Sequence, residues 1–192
     1  MNIALLLPIT GLGRMQGGFY AEFLTPLIGG TENRRKARAT IRVAGVTSQK
    51  LRYVDLLLRE PWNVTLLDSA GFPVKQPVTV QIPNGASYLA QKLLIHDKRN
   101  SKERAKDAVY IHDTIQTLRR CLAQLQHEWT EHVKPMLAAK AVTKVMNSSD
   151  ALFGEITDTI RDASIEAGST GRNVPPEALR NVCYAGLQQI FV

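Results

Sequence analysis

The residues able to do chemistry gather in one block, Pro77–Asp107, which reads PVTVQIPNGASYLAQKLLIHDKRNSKERAKD. Its pattern predicts a short alternating strand ending at Pro83, then a helix with Lys92 in its middle. A basic turn follows, and a second helix opens with Lys106-Asp107. Basic side chains and one acid therefore fall near the junctions of a strand and two helices, an arrangement suited to holding a polyphosphate. Tyr88, Lys92 and His96 are four apart and share one stripe of the first helix. Leu89, Ala90, Leu93 and Leu94 form the apolar face beside it, so Lys92 borders the core. A lysine so placed either snorkels its ammonium back to water or reaches a phosphate as a point charge. Asp107 borders the apolar seam of the second helix, with Arg104 three residues before it and Tyr110 three after. It serves either as a partner of the helix dipole or as a counter-charge that fixes Lys92 or Arg99 for a ligand. Lys98, Arg99, Lys102, Arg104 and Lys106 make the turn between the helices strongly basic, which suits a solvated loop as well as a site.

Other catalytic patterns are absent or fail on spacing. His127-Glu128-Trp129-Thr130-Glu131-His132 looks like a zinc-protease word. Its histidines, however, are five apart, about 140° around a helix, and cannot share a metal as an i, i+4 pair does. No Gly-Lys-Ser/Thr occurs, so there is no P-loop. Gly11-Leu-Gly13 is followed by Gln16 where a third dinucleotide-type glycine would fall. No Gly-x-Ser-x-Gly and no Cys–His arrangement is present. Cys121 and Cys183 lie far apart in helical apolar contexts and read as reduced thiols in or near a core. Trp129 and Phe153, at helical spacing from apolar neighbours, read as core.

The elements that must position the block can be placed from periodicity. Asn2–Leu7 and Phe19–Leu24 are short strand candidates. Between them glycines 11, 13, 17 and 18 break the chain, and Gly29–Arg38 is a polar, basic loop. Leu51, Val54, Asp55 and Leu58 stand at helical spacing and predict a helix from Thr47 or Ser48 to about Arg59. Asn63–Leu67 and Val78–Ile82 are expected to pair as a hairpin with a long connection. Asn84 caps a helix to about His96, and Ser101 caps the next. In that helix Ala108, Ile111, Ile115, Leu118, Leu122 and Leu125 form one amphipathic seam. Pro135 is expected to begin or kink a further helix running to about Met146, and Asn147–Ser149 to be a break and cap. Leu152, Phe153, Ile156, Ile160 and Ala163 form the next stripe, and Gly168–Asn173 a loop. Pro175-Pro176 opens a last helix with Leu179, Val182, Cys183, Leu187 and Ile190 inward.

The 192 residues are 44% hydrophobic and 21% charged, ordinary values for a water-soluble globular chain of one substantial domain or two small ones. The net charge of +7, from 24 basic and 17 acidic residues, favours contact with phosphates, as nucleotide or nucleic acid. The apolar start MNIALLL is too short to span a membrane and lacks the basic region of a signal peptide. A cytoplasmic protein with no membrane partner is the expectation.

From about Gly18 to Leu118 the chain resembles nucleotidyltransferases of the polymerase-beta-like superfamily. The nearer likeness is to bacterial abortive-infection toxins and antitoxin-type transferases. The matching words are Phe19–Leu27, Leu51–Leu58, Val80–Ile95 and the pair Lys106-Asp107. The resemblance implies that Lys92, Lys106 and Asp107 contact nucleotide phosphate or support the site, with Arg99 beside them. It implies that Glu22, on a short strand, matches the family's third acidic position, which would help to hold Mg2+. Gln91 stands where such proteins often have histidine.

The same superfamily needs a Gly-Ser turn followed by Asp-x-Asp, whose carboxylates bind magnesium. No Asp-x-Asp occurs here. Either an upstream segment is missing or the chain is a degenerate member. The expected fold is α+β, a small N-terminal mixed sheet with a C-terminal helical bundle. Residues 1–83 would form a partial nucleotidyltransferase-like α/β region and 84–192 a helical region. The expected function is transfer of a nucleotide from an NTP to a hydroxyl on protein or RNA in intact relatives, weak or absent in this chain. The alternative is a non-catalytic nucleic-acid- or protein-binding module using the basic turn 98–106, with the apolar start as the surface of a homodimer or another partner.

Overall fold

The structure is a computed structural model that describes residues 4–6, 22–26, 40–43, 46–71 and 73–191; at 4–6, 22–23, 40–43 and 46–49 only the backbone is described. The glycine breaks at 11–18 and the loop at 29–38 lie outside the described residues.

Strands β1 (Ala4–Leu6), β2 (Glu22–Pro26), β3 (Thr40–Val43) and β4 (Val46–Leu51) form a sheet in the order β1-β2-β4-β3. β2 lies parallel to β4 and antiparallel to β1, and β3 is antiparallel to β4, so the sheet is mixed. The helix expected over 47–59 is therefore not formed. Its first half is strand β4, and its second half is a short 3-10 helix, Val54–Leu58. A spacing of three or four suits a 3-10 turn as well as an α-helix. That turn buries Val54, Leu56 and Leu57, and Val54 and Leu57 join Leu24 of β2 in a small cluster packed against Leu51 and Tyr88.

The hairpin is present. β5 (Trp62–Leu66) pairs antiparallel with β6 (Val78–Ile82), Val64 facing Val80. Trp62 docks its base on the helices by donating from Nε1 to Glu128 Oε1 at 3.0 Å.

The rest is helical: α1 (Gly85–Ile95), α2 (Ser101–Thr117), α3 (Leu122–Glu128), α4 (Ala139–Phe153), α5 (Asp158–Ser169) and α6 (Pro176–Phe191). The fold is α+β, with small sheets towards the N-terminus and a helical C-terminal region. Leu89, Leu93, Ile111, Leu125, Phe153, Ile160, Leu179, Leu187 and Ile190 make one core, and Trp129 meets Phe191 edge to face at 4.8 Å between centroids. Val182 packs at its margin. Gly186 lets α6 approach α2, since a Cβ there would sit 2.5 Å from Ile115 Cγ2.

Three helical expectations need correction. The seam Ala108–Leu125 is interrupted, because α2 ends at Thr117 and α3 starts at Leu122; Leu118 still packs on the core from the turn. Pro135 lies in a 3-10 turn (Lys134–Met136), not in a helix reaching Met146. Asn147–Ser149 does not break α4 but runs within it. There Ser148 Oγ donates to Lys144 O and Ser149 is buried, so local capping tendencies yield to packing. Cys183 is buried, but Cys121 is exposed at the start of α3, outside the core context expected for it. No helix among the described residues is long and apolar enough to cross a membrane.

Candidate functional site

Helix α1 is set in place from its first turn. Asn84 Oδ1 accepts from Ser87 N at 2.7 Å, the expected N-cap. Its amide donates to Arg59 O and Glu60 O at 3.1 and 3.2 Å, tying α1 to the preceding turn. Glu60 there has φ +40°, a left-handed conformation that needs outside support in a non-glycine residue. At its other end α1 is held by Lys144 of α4, which donates to Leu94 O and Asp97 Oδ1, both at 2.8 Å. That hydrogen bond, with burial opposing it, holds Asp97 below the usual carboxylate range.

Helix α2 starts one residue earlier than its sequence signal. Asn100, not Ser101, is the N-cap: Asn100 Oδ1 accepts from Glu103 N, and Glu103 Oε2 accepts from Asn100 N. This capping box satisfies donors that would otherwise attract an anion.

Between the two helices sits an ion cluster. Asp107 is 3% exposed. Its Oδ1 accepts from Lys92 Nζ at 2.6 Å and its Oδ2 from Arg99 Nε at 3.2 Å. The Lys92 side chain is 11% exposed and that of Arg99 24%. Arg99 also lies 3.6 Å from Glu103, and Arg104 Nε holds its backbone by donating to Arg99 O at 2.9 Å. The Lys92 ammonium lies 5.4 Å from the centroid of Tyr88 and 5.1 Å from that of Tyr110. Burial, then the charge of Asp107, pushes the Tyr88 phenol well above its ordinary range, so it is a neutral wall. Burial, with Arg104 adding to it, lowers the pKa of His96, so its imidazole stays neutral at pH 7.

The fold thus brings together three of the residues singled out from sequence, Lys92, Arg99 and Asp107. Lys106 is not among them: it reaches towards Glu166 of α5 at 3.7 Å. Glu22 opens β2, and its side chain lies outside the described residues. Gln91 is buried. Tyr110, which sequence reasoning noted only as a neighbour of Asp107, stands beside the ammonium with 44% of its surface exposed.

A carboxylate that is almost fully buried and shared by two cations is costly to assemble, and such pairs often contribute little net stability. Across residues 92–107 six lysines and arginines face three acids, a local excess of +3 apart from histidine. What the cluster offers is two cations held in fixed positions in positively charged surroundings, a setting suited to a multiply charged anion. It does not fit magnesium. Both oxygens of Asp107 are engaged by cations, and no group of three or more His, Cys, Asp or Glu able to hold a metal ion occurs among the described residues.

No curated protein and no solved structure matches the chain. Residues 10–134 match a family model described as Nucleotidyltransferase, a span that holds the whole Lys92–Arg99–Asp107 cluster and both helices that carry it. Since that match covers more than half of the 192 residues, the chain belongs to this nucleotidyltransferase family.

Proposed function

We propose that the described part of the chain grips the triphosphate of an NTP. Lys92 and Arg99 contact the phosphates, and Asp107 positions both. The observation that carries this reading is the single buried carboxylate that receives both cations, within the span matched to the family. The reaction class is nucleotide transfer from the NTP to a hydroxyl on a protein or RNA, in the manner of bacterial toxin–antitoxin transferases. Activity of this chain is weak or absent. Magnesium would be held by groups other than the described cluster, and no step is routed through it. Lys106, turned towards α5, has at most an indirect part.

The test is nucleotide binding by titration calorimetry, joined to incubation with labelled NTPs and magnesium. Lys92→Met leaves Asp107 paired with Arg99, and Arg99→Ala leaves it paired with Lys92, so both variants keep a counter-charge. Each is expected to weaken ATP binding about tenfold or more, the size of a lost charge-assisted contact. Unchanged affinity in both folded variants would defeat the reading. A second reading, a nucleic-acid-binding module, is favoured by Lys98, in the turn before α2, and Lys102, in the first turn of α2, both exposed. It predicts binding to RNA or DNA that ignores sequence and falls steeply with salt.

A further inference from the structure

We propose that Tyr110 is the base platform of this site: the nucleobase of a bound nucleoside triphosphate stacks on its ring, and purines bind more tightly than pyrimidines. The proposal rests on the phosphate reading of Lys92 and Arg99 and assigns the group that recognises the other half of the ligand. Tyr110 lies one turn beyond Asp107 on α2, so the two occupy neighbouring positions on one side of the helix. Its ring centroid is 5.1 Å from the Lys92 ammonium, a separation shorter than the length of a nucleoside monophosphate. A phosphate at the cation and a base at the ring are therefore within reach of one ligand.

The two tyrosines at Lys92 are in different situations. Tyr88 packs on the cluster of Leu24, Val54 and Leu57, where it joins α1 to β2 and has a structural role. Tyr110 has no such role. Its neighbours Ala108, Val109 and Ile111 are buried, while it is exposed. The other phenylalanines, tyrosines and tryptophans whose side chains are described are buried or half-buried. A ring 44% exposed, with a caged cation at its edge of reach, offers surface on which a base can stack. Stacking on an aromatic ring tolerates every base and follows the strength of the stack, which is greater for the larger purine face.

The experiment is calorimetric titration of the full chain with ATP, CTP and inorganic tripolyphosphate. It compares the parent with Tyr110→Leu, which keeps apolar bulk, and Tyr110→Phe, which keeps the ring. Tripolyphosphate carries at least as much charge as ATP, so any advantage of ATP comes from the nucleoside. ATP is expected to bind about five- to a hundredfold tighter than tripolyphosphate, with CTP between them. Tyr110→Leu should bring ATP down to the tripolyphosphate value, Tyr110→Phe should preserve the advantage, and tripolyphosphate itself should bind all three alike. Equal affinity of the parent for ATP and tripolyphosphate overturns the base platform and leaves the phosphate reading standing. Absence of binding by any of the three ligands overturns both. If Tyr110→Leu fails to fold, Tyr110→Gln, a polar replacement suited to this exposed position, takes its place, and an ATP advantage that survives loss of the ring overturns the base platform.

Discussion

Replacing Asp107 by asparagine removes one negative charge and little volume from the cluster. In the parent that charge is shared by Lys92 at 2.6 Å and Arg99 at 3.2 Å, on a residue 3% exposed. Asparagine can accept from one cation with its carbonyl, but its amide then faces the other with donor against donor. Removing one partner of a buried pair costs roughly 3–5 kcal/mol. Because the Lys92 and Arg99 side chains are 11% and 24% exposed, the low end applies, about 3 kcal/mol. For a chain of this size each kcal/mol moves Tm by about 2–4 °C, so thermal unfolding followed by circular dichroism should shift down by about 6–12 °C. The double variant Lys92→Met with Asp107→Leu replaces the central pair by apolar groups of similar size. It should recover most of the loss, since well-packed apolar replacements of buried pairs are often neutral or better. It should also fail to bind ATP, which separates what the cluster does for stability from what it does for a ligand. A drop of less than about 0.5 kcal/mol for Asp107→Asn would mean that the cluster behaves as a water-screened surface pair. A double variant as unstable as the single one would mean that the cost is in packing and not in unpaired charge.

Two further outcomes follow from the structure. The folded-state pKa of His96 lies below the ordinary histidine value of 6.5, chiefly through burial. The unfolded chain therefore binds the extra proton more readily, and stability conferred by neutral His96 is complete above the unfolded value and is lost as pH falls towards the lowered one. Urea midpoints measured at pH 7.5 and pH 5.5 should fall on acidification, and His96→Gln should flatten part of that slope; an unchanged slope refutes the assignment. Gly186→Ala places a methyl 2.5 Å from Ile115 Cγ2, a branch held close to the α2 backbone, and should cost about 1–3 kcal/mol by overpacking. Ile115→Val keeps that Cγ2 branch and should rescue little, whereas Ile115→Ala on the Gly186→Ala background should lose less than the two single losses added together, as a double-mutant cycle in urea would show.

The cluster was legible in sequence because it depends on helical periodicity and on few long-range facts. Tyr88, Lys92 and His96 follow from spacing, and the Asn84 cap is a local signal confirmed by its bond to Ser87 N. A pairing of Asp107 with Lys92 or Arg99 could be named in advance, although whether it took one partner or both could not, because that depends on how α1 crosses α2. Residues 46–58 were less legible. Leu51, Val54, Asp55 and Leu58 carry a helical spacing, but Val46–Leu51 finds two strand partners, β2 and β3, and pairing outweighs local pattern. In α4, Asn147-Ser148-Ser149 carries a stop signal that Ser149 overrides by its burial. Cys121 falls in an apolar-looking context but sits in the turn where α2 ends and the seam is broken.

Lys106 and Asp107 show how a two-residue motif divides in space. Neighbours on an α-helix point about 100° apart, so the two side chains of a dipeptide need not share a partner. Here Asp107 turns to α1 and the basic turn, while Lys106 turns to Glu166 on α5. The acid is held between two cations; the lysine makes a longer, half-exposed contact of the kind that contributes little. A Lys-Asp word read as one phosphate-binding unit therefore joins two separate jobs. The aspartate pairs with two cations between α1 and α2, and the lysine makes only a weak surface contact to α5. In the phosphate grip proposed above, the positive charge offered to the ligand would therefore come from residues 15 and 8 positions before Asp107, and not from the lysine adjacent to it.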